Sequence, residues 1–226
     1  MPVIIFFVRL MLGVSYITFF MAITVQTPVT ASEPDKPAEM IGAFSASNNS
    51  VKKTEHLYAL RAYLPAKEAW IRQLLEMAID DRSPVVVAEA VCQIGEFGFT
   101  ESDTVLIQLY TDAQKRFGSI AYTERVRCAI ITALGKIGGA NATAFVAGLL
   151  KQDKGSFAGR FMLTAIGEIN DESLVEDVRS YRIMLEEYVK NAEKAGIDPF
   201  LYSDKIDCIG LASEIEATLL KGGEHE

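Results

Sequence analysis

After Thr54 apolar residues recur three and four positions apart along almost the whole sequence, and short clusters of Gly, Pro, Asn and Ser separate the runs. No run alternates apolar and polar residue by residue, as a strand with one buried face would. The pattern predicts an all-α chain of short helices. Three stretches superpose without gaps: "SPVVVAEAVCQIGEFG", "TERVRCAIITALGKIG" and "GSFAGRFMLTAIGEIN". Each carries an apolar residue, a glycine, a charged residue and a second apolar residue in the same order: Ile94-Gly95-Glu96-Phe97, Leu134-Gly135-Lys136-Ile137 and Ile166-Gly167-Glu168-Ile169. The glycines lie about 40 and about 32 residues apart, within the spread of helical-hairpin repeats.

At equal distance before each glycine stand Ser83, Thr123 and Gly155, residue types that start helices, and Pro84 follows Ser83 at the preferred first helical position. A second helix is expected after each first one, over Glu101 to Arg116, Asn141 to Gln152 and Glu172 to Lys194. A weaker unit is expected ahead of them, with helices over Thr54 to Leu64 and Ala66 to Ile79. The final helix, Ser203 to Lys221, carries Ile206, Ile209, Ser213 and the offset pair Leu211/Ile215 at helical spacing and is expected to cap the exposed end. A glycine inside a helix costs about 1 kcal/mol relative to alanine, so Gly95, Gly135 and Gly167 imply a need for bare backbone. At Gly135 the first helix is expected to end against its partner helix, with Gly138 or Gly139 supplying the left-handed turn that stops it.

These residues resemble HEAT-like repeats, in particular the short subtype of phycobilisome lyases, whose pattern runs Val-Arg, several alanines, Ala-Leu-Gly, apolar, Gly. Val126-Arg127 with Ala133-Leu134-Gly135-Lys136-Ile137-Gly138 is the best match. Val87 and Gly159 stand where Arg127 stands, and Asn170 replaces the closing glycine, so the other two copies are degenerate. The resemblance covers roughly Ser83 to Lys194. It implies a right-handed α-solenoid of stacked helical hairpins, a HEAT-like or ARM-type superhelix, occupying residues 53–226 with a C-terminal capping helix. It also implies a role in protein–protein interaction, with a chromophore lyase or isomerase as the enzymatic alternative.

The amino terminus changes the picture. "MPVIIFFVRLMLGVSYITFFMAITVQTPVTASEPDK" has a single basic residue, Arg9, before an apolar run, then Pro28 and small residues at Val29 and Ala31. Residues 1–31 read as a signal peptide cleaved after Ala31, which places the protein in the periplasm or outside the cell and argues against lyase work inside it. The alternative is an uncleaved membrane anchor, which would make the chain a membrane-tethered assembly factor; Arg9 within the span counts against it. Residues 32–52, rich in Pro, Ser and Asn, read as a flexible linker. With 30 acidic and 22 basic residues the chain has a net charge of −8, which disfavours nucleic acid as a partner. Cys92, Cys128 and Cys208 each sit among apolar neighbours, are too few for a disulfide framework, and are expected as free core thiols.

Candidate chemistry is sparse. His56 and His225 are the two histidines, too few and too far apart for a metal cluster or a Ser/His or Cys/His nucleophile. HEAT-like di-iron hydroxylases carry paired His-Glu steps; here the one step is His225-Glu226, outside the repeats. Acidic pairs at Asp80-Asp81, Asp171-Glu172 and Glu186-Glu187 sit where helix starts or water favour them. Asn48-Asn49-Ser50 and Asn141-Ala142-Thr143 match glycosylation acceptors. No catalytic residue, metal ligand or cofactor is assigned. The expected function is a non-catalytic scaffold whose second helices line a concave face for a protein or peptide partner. Gln108, Asp112, Lys151, Arg179 and Arg182 are its candidate contacts, and Tyr181 and Tyr188 are either aromatic anchors or packing residues.

Overall fold

Residues 36–222, which the computed structural model describes, form ten α-helices and no strand: α1 (Lys36–Ala46), α2 (Ser50–Ala59), α3 (Ala69–Ile79), α4 (Pro84–Phe97), α5 (Asp103–Phe117), α6 (Ile120–Ile137), α7 (Ala140–Gln152), α8 (Gly159–Ile169), α9 (Val175–Lys194) and α10 (Ser203–Gly222). The expected signal segment, its cleavage point after Ala31 and His225 lie outside the described residues. Short 3-10 turns extend α2 and lead into α5, α9 and α10.

Local chemistry explains most helix ends. Asn49 caps α2, its side-chain oxygen accepting the backbone N–H groups of Val51 at 2.9 Å and Lys52 at 3.3 Å. Pro84 occupies the first turn of α4, where its missing N–H costs nothing. At the other end Gly98 turns left-handed, with φ of 62°, so that Phe99 N–H reaches back to the Ile94 carbonyl at 3.2 Å. Asn170 does the same for α8 at φ 53°. Arg116 reaches from α5 to the carbonyls of Ile79 at 2.6 Å and Asp81 at 2.8 Å and so covers the negative end of α3.

The helices lie in two rows. In the first row α2 packs on α4, α4 on α6, α6 on α8 and α8 on α10. The second row stands behind it, with α1 on α3, α5 on α7 and α7 on α9, while α3, α5, α7 and α9 each lean on the first-row helix that follows them. First-row helices run in one direction. Lys53 of α2 meets Asp81, just before α4, at 2.5 Å, and a level further on Arg61 meets Glu89 at 3.9 Å. At the other end of the row Lys205 of α10 lies beside Gly155, just before α8, 3.5 Å from where a Cβ would stand, and Ile215 lies beside Gly167 near the end of α8. The core fills the space between the rows with Leu74, Leu106, Ile130, Leu134, Leu163 and Ile166, all fully buried.

The motif glycines sit inside their helices and face the next first-row helix. A Cβ at Gly95 would come within 2.8 Å of the Ala133 Cα, and one at Gly135 within 2.6 Å of the Ala165 Cα. Both alanines stand two residues before the next glycine, so the same small-on-small contact is repeated in register. This corrects two expectations. Gly135 does not end α6, and the helix it approaches is the equivalent helix of the next unit rather than its own hairpin partner. The following charged position also bridges units, because Lys136 pairs with Glu96.

Other expectations give way as well. Thr123 lies one turn inside α6, fully buried, with its N–H bonded to the Ser119 carbonyl at 2.9 Å, and Gly155 lies four residues ahead of α8. Residues 32–52 are not a flexible linker throughout: Lys36–Ala46 is a helix, because Met40, Ile41 and Phe44 form an apolar stripe that packs against the core and buries Phe44. On α10 the buried stripe is Cys208, Ala212, Ile215 and Leu219; of the expected line of Ile206, Ile209, Ser213 and Leu211/Ile215 it includes Ile215, while Ile206 is exposed.

Candidate functional site

A hollow of about 470 Å³ opens on the outer face of the first row. It forms because a line of small side chains crosses two neighbouring helices: Ala88 and Cys92 on α4, then Ala121, Cys128, Ala129 and Thr132 on α6. Ala88 and Cys92 are one turn apart, and Ala121, Cys128 and Thr132 fall two turns and then one turn apart, so each set shares a face of its helix and leaves room above it. Phe161 of α8 and Phe157 just before it wall the far side, their rings 5.4 Å apart at 59°. The walls are mainly apolar, and Glu89, Glu124 and Arg125 provide the polar edge.

The charges at that edge have different commitments. Glu124 is paired with Arg127 at 3.2 Å, and Arg127 also covers the Tyr110 ring at 4.9 Å. Glu89 accepts the Gln93 side-chain N–H at 2.7 Å, and its negative charge, with burial second, raises the pKa of Tyr58. Arg125 is exposed, and no ion pair holds it among the described residues. Burial first, and nearby Glu89 second, push the Cys92 thiol up to about 11; burial and Glu124 do the same for Cys128. Both are therefore protonated at neutral pH and present soft, apolar surface. Cys92, Cys128 and Cys208 are free thiols. Among the described residues no group of three His, Cys, Asp or Glu side chains could hold a metal ion, and no helix is long and apolar enough to cross a membrane.

The contacts expected from the sequence fall in three separate places, all away from the hollow. Gln108 and Asp112 are one turn apart on α5, joined at 2.7 Å, at the mouth of a shallower depression of about 430 Å³ shared with Ile79, Asp80 and Arg116. Lys151 is exposed at the end of α7 and pairs with Asp177 at 3.0 Å. Arg179 and Arg182 are partly exposed, and both are engaged in ion pairs. Both reach Glu216 of α10, at 2.7 and 3.2 Å, because the long α9 and α10 lie side by side, and on their own helix Arg179 also pairs with Glu176 and Arg182 with Glu186. Arg179's hydrogen bond, helped by Arg182 and opposed by desolvation, holds Glu216 below the usual carboxylate range. Tyr181 is buried and donates its hydroxyl to Asp153 at 2.6 Å, so it packs; burial first and that acceptor second push its pKa well above the usual tyrosine value. Tyr188 is exposed, with the Lys205 ammonium 5.3 Å from its ring centre.

Sequence reasoning missed the hollow. Its signal was present as a line of small residues at helical spacing, Ala121, Cys128 and Thr132, on a helix otherwise rich in large apolar ones. No protein-family model, curated protein or solved structure matches this chain.

Proposed function

We propose that this chain is a non-catalytic binding module of HEAT-like type, a right-handed α-solenoid of stacked helical hairpins that holds a polypeptide partner. The observation that carries the reading is the repeated contact of Gly95 on Ala133 and Gly135 on Ala165. Successive units related by one register give a stiff frame whose outer faces can be shaped without disturbing the core. The binding surface is the hollow over α4 and α6, and its occupant is a peptide segment presenting a large apolar side chain between Cys92, Cys128 and Phe157. Arg125 is free to bind a backbone carbonyl or carboxylate of that segment. The high thiol pKa values favour packing over nucleophilic work at this place. Export with cleavage after Ala31 would put this module in the periplasm or outside the cell.

The test is selection of displayed peptides on the purified protein, followed by titration of the winners. Peptides with an aromatic or long aliphatic anchor should be enriched. Ala121→Arg, which fills the mouth of the hollow from an exposed position, should weaken them by at least about tenfold, while Gln108→Ala should leave them unchanged. Equal binding to the parent and Ala121→Arg would sink the assignment of the hollow.

A further inference from the structure

Each time the chain passes from a second-row helix to the next first-row helix it turns at the same edge of the array. The links at that edge are residues 47–49, 80–83, 118–119, 153–158 and 195–202. The five most exposed large apolar side chains among the described residues are Phe200 (80%), Ile120 (75%), Phe157 (73%), Leu201 (68%) and Val51 (64%). All five lie in those links or in the first turn after one. The last link runs past the start of α8: Lys205, in the first turn of α10, lies beside Gly155, four residues ahead of α8, and residues 195–202 precede it.

The charges divide between the two edges. Lys52, Arg82, Lys115, Lys154, Arg160 and Lys194 stand at the link edge, exposed and outside the ion pairs formed among the described residues. The exposed acids beside them are Asp80, Glu193, Asp198, Asp207 and, paired with Lys205, Asp204. The opposite edge, where first-row helices turn into second-row ones, carries Glu68, Glu96, Glu101, Asp103, Glu168, Asp171, Glu172 and Glu176 against Lys36, Lys67, Arg72, Lys136 and Lys221. In a chain of net charge −8, the edge with the bare apolar side chains is thus the less acidic of the two and holds more of the unpaired basic groups.

We infer that the link edge is a docking surface for an anionic lipid bilayer, with Phe157, Phe200 and Leu201 entering the headgroup layer and the neighbouring lysines and arginines facing lipid phosphates. Isolated apolar tips interleaved with basic side chains suit a bilayer interface, which accepts each tip separately and is attracted by the charge. A protein partner would call instead for a contiguous apolar centre from which lysine is depleted. The surface shares Phe157 with the hollow above, but Phe200 and Leu201 take no part in the hollow, so a test read at position 200 fails independently of the peptide reading.

The experiment uses the full chain and vesicles of equimolar phosphatidylglycerol and phosphatidylcholine, with pure phosphatidylcholine vesicles for comparison. Trp70, the one tryptophan, lies in the first turn of α3 at the opposite edge and is a built-in control. In the double variant Trp70→Phe/Phe200→Trp, brominated lipid should quench the introduced indole on anionic vesicles, with a blue-shifted emission that high salt reverses. Trp70 in the parent should stay unquenched. Adding Lys154→Glu and Arg160→Glu to the reporter should lower its vesicle affinity about tenfold. An unquenched indole at position 200 on anionic vesicles, or quenching equal at both edges, overturns the inference. So does a change in oligomeric state on Phe200→Ser/Leu201→Ser, which would make the edge a protein contact.

Discussion

Between α4, α6 and α8 the first-row helices meet backbone to backbone, whereas between α8 and α10 they meet through side chains. Gly95 and Gly135 press on the alanine backbone of the next helix; Gly167, the same residue in the same motif, has Ile215 Cγ1 3.4 Å from where a Cβ would stand, an ordinary contact. What holds the last seam is different chemistry. Arg179 and Arg182 of α9 grip Glu216 of α10, and Tyr181 ties α9 to the α7–α8 link through Asp153, whose carboxylate also accepts the N–H groups of Gly155 at 2.9 Å and Ser156 at 3.0 Å. A glycine in the motif is needed only where the neighbour offers a small residue at the matching level, and α10, which lacks the motif, offers an isoleucine.

The largest test of this contrast is Gly135→Ala. Its methyl would force α6 and α8 apart, an overpacking cost of about 1–3 kcal/mol, partly offset by the roughly 1 kcal/mol that alanine gains in a helix. With a backbone atom only 2.6 Å from the added methyl the cost lies at the top of that range, so a net loss of about 2 kcal/mol in urea unfolding is expected, with Gly95→Ala somewhat milder because its contact is looser. No loss at Gly135 would remove the close seam as a feature of the fold. Tyr181→Phe comes next. It deletes a hydrogen bond to a carboxylate that keeps its two backbone donors, so it should cost about 1.5 kcal/mol, with the loss of protection in hydrogen exchange concentrated in 153–158 and α9. Uniform loss of protection across α4 and α6 instead would show that the tie is not local.

Gly167→Ala should go the other way, stabilising by up to about 1 kcal/mol, since the added methyl meets only a movable isoleucine side chain. A destabilisation as large as that at Gly135 would erase the distinction between the seams. The smallest effect at neutral pH is at Glu216. Its pKa in the folded chain lies below the usual glutamate value, so its contribution is fully present above the usual value and is lost as pH falls through the lower folded one. Glu216→Gln should therefore flatten the acid side of the stability profile and leave the neutral side little changed. An unchanged acid limb would mean that the two arginines do not hold this seam.

The helices were legible because their causes are local. The second helices over Glu101 to Arg116 and Asn141 to Gln152, and the last helix over Ser203 to Lys221, are observed as Asp103–Phe117, Ala140–Gln152 and Ser203–Gly222. Thr123 misled because a hydroxyl that caps a helix can also be carried inside one, and here tertiary burial extended α6 by a turn. The stretch before Val51 misled because polar residues hid the stripe of Met40, Ile41 and Phe44, which is worth little until α3 is there to cover it.

Periodicity and the glycine motif by themselves determined an all-helical chain with internally related units, because spacing along a chain sets which residues share a helix face. Only the tertiary structure decided which helix each glycine touches, that Arg179 and Arg182 reach across to Glu216, and that the small residues of α4 and α6 open a hollow. Those outcomes depend on which faces meet across the rows and at what level, and register between helices distant in sequence is written in no local pattern.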